Sequence, residues 1–93
     1  MRIEVRPTGA FDRYFKRLGN AARQIATAEA IKLFATGTFD AKLRFERLVN
    51  RKGYFTIRAD YETRVLLYKL DDRTYEAVAV GNHDLIYENY FRK

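Results

Sequence analysis

The chain has 93 residues, 47% of them apolar and 15% aromatic, which suits one compact core and argues against a disordered segment. It has no Cys, which excludes a disulfide framework and a thiolate metal site and fits a reducing compartment. Eighteen Lys and Arg against twelve Asp and Glu leave a net charge of +6; such a balance draws a small domain toward polyanions, nucleic acid foremost, although it also serves solubility or an acidic protein partner.

In chain order, residues 1–5 alternate weakly and read as a first strand, closed by Arg6-Pro7-Thr8-Gly9. Phe11, Tyr14, Phe15 and Leu18 recur at i, i+3, i+4 and i+7, one face of a short helix that Gly19 stops. Asn20 is a good N-cap for a second helix with the apolar stripe Ala21, Ile25, Ala28, Ile31 and Ala35, ended by Gly37. Two helices joined by Gly19-Asn20 must double back as a helical hairpin.

After Gly37 the period falls from about 3.6 to 2. Ala41, Leu43 and Phe45 alternate with Lys42, Arg44 and Glu46, and Phe55, Ile57 and Ala59 with Tyr54, Thr56 and Arg58, predicting two strands separated by a basic loop. Asp60-Tyr61-Glu62 reads as a turn into a nearly all-apolar strand over 64–70, expected to be central. Asp71-Asp72-Arg73 turns the chain into a strand over 74–80, which Gly81-Asn82-His83-Asp84 breaks. Residues 85–91 fit a short helix or an edge strand, and periodicity does not choose. The expected fold is α+β: an N-terminal strand and helical hairpin packed on one face of a small antiparallel sheet. No apolar run has the length of a signal-peptide core or a membrane span. The reading is a soluble, cytoplasmic protein with a single domain over 1–93.

The segments Leu43-Arg44-Phe45-Glu46-Arg47-Leu48, Tyr54-Phe55-Thr56-Ile57-Arg58, Thr63-Arg64-Val65-Leu66-Leu67-Tyr68 and Val80-Gly81-Asn82-His83-Asp84-Leu85-Ile86-Tyr87, in this order after a helical hairpin, resemble the RelE/ParE superfamily of toxin–antitoxin toxins. The last segment is similar to the Val-Gly-x-His-Asp-x-x-Tyr ending of one branch. The resemblance implies a type II toxin, a cognate antitoxin partner in a toxin–antitoxin hetero-oligomer, and messenger RNA on the ribosome as target. One His and no Cys give poor support for a metal site, and no cofactor is expected. The superfamily also contains gyrase inhibitors that cleave nothing, so a ParE-like inhibitor and an inactive interaction module stay open beside an RNA endonuclease.

Metal-independent RNA cleavage needs a base for the 2′-OH, an acid for the 5′-oxygen and fixed cations for the phosphorane. Arg64 opens an otherwise apolar strand, where a charge needs a partner or a ligand. It matches the family's strand Arg, implied to contact the scissile phosphate, and its bland alternative is an ion pair to Glu62 or Glu46. Arg58 points with Tyr54 and Thr56 and reads equally as a solvated face. His83, the only His, has the near-neutral chemistry of an acid or base, and its alternative is a structural role. Asp84 would orient its imidazole only if the chain turned there. Tyr87 matches the family's C-terminal Tyr, implied to act as a base or to stack. The family's paired lysines are replaced near Phe55 and Ile57. Arg47, Arg51, Lys52 and Lys42 offer phosphate contacts, and Tyr54, Tyr61 and Tyr68 offer stacking faces. The surface charges become a site only if they share a face with Arg64 and His83.

Overall fold

A computed structural model describes residues 1–92. Five strands form one sheet in the order β1-β5-β4-β3-β2: β1 Glu4–Pro7, β2 Glu46–Arg47, β3 Tyr54–Arg58, β4 Arg64–Asp71 and β5 Thr74–Gly81. The helices are α1 Gly9–Arg17, α2 Ala21–Ala35 and α3 His83–Tyr87, with 3-10 turns at Ala41–Leu43 and Asn89–Phe91. The α+β class, the helical hairpin and the central position of β4 agree with the sequence reading. Among the described residues, no helix is long and apolar enough to cross a membrane.

The sheet is mixed rather than antiparallel. Strands β2 to β5 form the expected meander, but β1 pairs parallel to β5. The chain returns to the sheet edge through the whole hairpin and meander, a crossover that local alternation does not reveal. Pro7, expected in the closing turn, is the last residue of β1 opposite Ala77, tolerated because an edge strand has a free side. Thr8 then caps α1, its hydroxyl oxygen accepting from the Phe11 N–H at 3.1 Å.

The hairpin forms where the caps put it. The Asn20 side chain accepts from the Arg23 N–H at 3.0 Å, and Gly19 and Gly37 have φ of +60° and +78°. At Gly37 a Cβ would lie 1.6 Å from the Met1 carbonyl oxygen, so the close passage of the N-terminus requires glycine there as much as the backbone angle does. The expected α1 face holds, with Phe11 buried and Tyr14, Phe15 and Leu18 packed beside it.

The expected α2 stripe is displaced. Thr27, Ala30 and Phe34 are the buried residues, while Ala21 and Ala28 are exposed and Ile25 is 59% exposed. An alanine-rich helix has apolar residues on every side, so several stripes fit the periodicity and the tertiary contacts choose among them.

The alternation from Ala41 to Glu46 does not build a strand. Asp40 accepts from the Lys42 N–H at 3.0 Å and starts the 3-10 turn. Arg44 then takes a left-handed φ of 48°, and pairing begins only at Glu46. The local Asx hydrogen bond outcompetes the ladder. Residues 85–87 end α3 and Asn89–Phe91 form the 3-10 turn after it, with Glu88 between them.

Two apolar clusters sandwich the sheet. Ile57, Val65, Leu67 and Ala77 pack under α1 and α2. On the opposite face Leu66, Val78 and Ala79 pack with Ile86 of α3 and with Tyr87, Tyr90 and Phe91. Helical cover is therefore not confined to one face, and Tyr14 of α1 packs against both clusters. Phe34 centres the first cluster, with ring centroids 5.0 Å from Tyr75, 5.4 Å from Phe45 and 5.7 Å from Phe39. Phe34 is wholly buried, so Phe34→Ala should cost about 3–5 kcal/mol of unfolding free energy, read as a lowered urea midpoint with an unchanged slope.

Candidate nucleic-acid interface

Strand register builds the site. Arg58 of β3 stands directly opposite Arg64 of β4, which stands opposite Gly81 of β5. Thr56 is opposite Leu66 and also opposite Glu46. Residues opposite one another share a face, so Arg58, Arg64, Thr56 and Glu46 all belong to the face that carries α3.

The β3–β4 turn holds Arg58 in place. Asp60 Oδ1 accepts from the N–H groups of Glu62 at 2.9 Å and Thr63 at 2.8 Å, and the Asp60 carbonyl accepts from Arg58 Nε at 3.3 Å. Burial pushes the Asp60 carboxyl up, but hydrogen bonds from the Glu62 N–H and from Thr63 outweigh it and hold it below the ordinary carboxylate range. Glu62 pairs with Arg23 of α2 at 2.8 Å, not with Arg64. Among the described residues Arg64 makes no ion pair, and its Nη1 is buried without a hydrogen-bond partner. Two guanidinium groups opposite each other repel. A buried, unpartnered donor beside that repulsion is costly in the folded chain and well matched to an anion.

Gly81 lets α3 fold back over the end of β5, because a Cβ there would meet Leu85 Cδ2 at 2.3 Å. The Asn82 side chain accepts from the Leu85 N–H at 2.9 Å and starts α3 at His83. This helix start supplies the turn that an Asp84–His83 contact requires, although Asp84 Oδ1 lies 3.7 Å from His83 Nδ1, a loose and exposed pair. One helical turn on, the Tyr87 ring lies 4.4 Å from the His83 ring, and its hydroxyl is 3.2 Å from that of the buried Thr56.

The structure gathers the expected residues into two adjoining grooves. Arg58, Arg64, His83 and Asp84 line one, together with Tyr61 and Asn82. Tyr87, Arg47 and Arg51 line the other, together with Glu46. The His83 and Tyr87 rings, tilted by 34° to each other, line one groove each. The Arg51 guanidinium lies over the Phe91 ring at 4.5 Å. Lys52 is exposed and lines neither groove, and Lys42 belongs to a third groove beside α2.

Tyr54 and Tyr68 are 4.9 Å apart, and Tyr54 lies 5.0 Å from Phe91; they form a packed aromatic wall, whereas Tyr61 is 84% exposed. Burial, and then the neighbouring Tyr54 and Tyr14, push the Tyr90 phenol in that wall up. Phe55 and Ile57 pack in the cluster under α1 and α2, Phe55 stacking on Phe45 at 4.9 Å. Those two positions therefore bring nothing to the basic face.

Sequence reasoning missed Thr56 and gave Glu46 no role beyond pairing with Arg64. Glu46 is exposed and has no ion pair among the described residues. The alternation of β3 groups Thr56 with Arg58, but only the pairing of Glu46 with Thr56 brings this carboxylate to the same face.

No protein-family model and no curated protein matches the chain. Solved structures do. The chain is similar to one in the E. coli DinJ-YafQ toxin-antitoxin complex, with a TM-score of 0.75 and 14% identity over 94% of this chain and 99% of that one. It is similar to the YoeB dimer from Staphylococcus aureus, with a TM-score of 0.66 and 18% identity over 89% and 99%. It is similar to a chain of the RelBE2 toxin-antitoxin complex from Mycobacterium tuberculosis, with a TM-score of 0.63 and 25% identity over 89% and 100%. The chain has the fold of the RelE/ParE toxin superfamily.

The lowered Asp60 value has a consequence for the turn. Its contribution to stability is complete above the unfolded carboxylate value of about 4 and is lost as pH falls through the lower native value. Asp60→Asn keeps the acceptor oxygen without the charge. The stability gap between wild type and Asp60→Asn, measured by urea unfolding, should be largest near neutral pH and should narrow as the pH falls below about 4.

Proposed function

We propose that the protein is the toxin of a type II toxin–antitoxin pair and that it cleaves messenger RNA on the ribosome without a metal. The observation that carries this reading is the Arg58–Arg64 pair, with Arg64 Nη1 buried and unpartnered, in the groove that His83 also lines. That groove suits a phosphate whose charge grows during in-line attack by a 2′-OH.

In this reading Arg64 and Arg58 stabilise the phosphorane. His83 gives a proton to the departing 5′-oxygen, and the Glu46 carboxylate takes the proton of the attacking 2′-OH. Tyr87, held against Thr56 and His83, keeps the nucleotide between them. Arg47 and Arg51, with Lys52 beside them, hold flanking phosphates. Their contribution is salt-dependent and indifferent to sequence. The solved neighbours DinJ-YafQ and RelBE2 are toxin-antitoxin complexes, and by analogy a cognate antitoxin covers this basic face with an acidic or amphipathic segment.

Arg64→Ala should lower cleavage of a translated message about 10²–10³-fold, and His83→Ala about 10²–10⁴-fold, with growth arrest relieved in both. Unchanged cleavage in both variants removes these assignments. Arrest with intact messages and accumulating DNA breaks replaces the reading with a gyrase-directed one.

A further inference from the structure

On the far side of the β3–β4 turn, α2, the 3-10 turn and the end of β3 enclose a groove of about 720 Å³. Its floor is apolar, with Ala30, Leu33 and Ala59, and the charged residues Lys42, Arg44 and Glu29 also line it. Arg58 and Tyr61 line this groove and also the one holding Arg64 and His83, so the two are continuous around the turn. Tyr61 sits at the tip with 84% of its surface exposed, a large ring that the fold leaves uncovered, whereas Tyr54 and Tyr68 at the other end of the β3–β4 ladder are packed together. Two of the carboxylates along the passage are engaged elsewhere, whereas Glu29 also lines the groove. Glu62, the acidic residue next to Tyr61, is paired with Arg23, and the Asp60 carboxylate is turned inward onto backbone N–H groups.

We propose that this second groove is a subsite for single-stranded RNA flanking the reacting phosphate, with an unpaired base stacked on Tyr61 and the adjoining phosphate held by Lys42 and Arg44. An exposed aromatic plane between two sets of cations is the arrangement that binds unpaired nucleotides irrespective of sequence. The apolar floor accepts the face of a base, and the Arg58 guanidinium, reached from both grooves, bridges successive phosphates. An aliphatic side chain of a protein partner would fit the floor as well, but it would make no use of the exposed ring beside the Arg58–Arg64 pair. The inference rests on the proposed RNA function and concerns a part of the surface which that function does not itself require.

The test uses the full chain and fluorescently labelled single-stranded RNA, with the scissile 2′-OH replaced by hydrogen, and reads binding by anisotropy. Tyr61→Ala should weaken binding of an oligonucleotide long enough to fill both grooves about tenfold, while Tyr61→Phe keeps it. Lys42→Gln should weaken the same binding and flatten its salt dependence. A dinucleotide that reaches only the Arg58–Arg64 groove, which Lys42 does not line, should bind wild type and Lys42→Gln alike. The exposed position of Tyr61 makes an unchanged melting temperature the expected folding control. Loss of binding in Arg64→Ala with none in Tyr61→Ala overturns the subsite and leaves the RNA function standing. Loss in neither overturns both. Unchanged RNA affinity in Tyr61→Ala with weakened binding of the cognate antitoxin assigns the groove to a protein partner and overturns the subsite.

Discussion

Val65 and Leu67 of β4 point at the helical hairpin while Leu66, between them, points at the C-terminal segment, and all three are fully buried. A strand buried on both faces tolerates no slip, because moving its partner by one residue sends every side chain to the opposite side. Strand β3 is therefore held in the register that sets Arg58 against Arg64 and Thr56 against Leu66. On the other flank β5 carries an irregularity at Val78: Ala79 faces Leu66 and Ala77 faces Leu67. The extra residue lets Val78 and Ala79 both join the C-terminal cluster, a bulge of the kind that re-aims side chains at the end of a sheet. The strand then delivers Gly81 beside Arg64, where α3 begins.

The cost of the site falls at the open end of this rigid ladder. Two arginines face each other and one guanidinium nitrogen is buried without a partner, both contrary to stability alone. The surrounding structure holds them there. The turn carbonyl takes Arg58 Nε, the nearby acid is engaged by Arg23, and the wall formed by Tyr54, Tyr90 and Phe91 seats the segment after α3. The result is a preorganised patch of positive charge with the packed rings of a histidine and a tyrosine at its border.

Much of this was legible in the residues. Asn20, Gly19 and Gly37 mark the helix ends because capping chemistry is local, and the nearly unbroken apolar run after Arg64 marks the central strand. Arg64 itself was conspicuous as a charge at the start of that run. Other features were not legible. The α2 stripe was misplaced because alanines satisfy several helical faces. The segment from Ala41 to Glu46 alternates like a strand, yet an Asx hydrogen bond from Asp40 bends it first. Glu46 could not be placed on the basic face until its pairing with Thr56 was known, and Lys52 sits apart from both grooves although its neighbour Arg51 does not.

What the sequence determined by itself was local: helix caps, turn positions, the period of each segment and the identity of the groups able to do acid–base and phosphate chemistry. These follow from interactions between residues a few positions apart. The tertiary structure alone decided that β1 runs parallel along β5, that α3 covers the face opposite α2, and that Arg58, Arg64, His83 and Tyr87 meet on one surface with Glu46. Each of these depends on pairing between segments far apart in the chain, which is chosen by how the whole set of apolar faces can be buried at once.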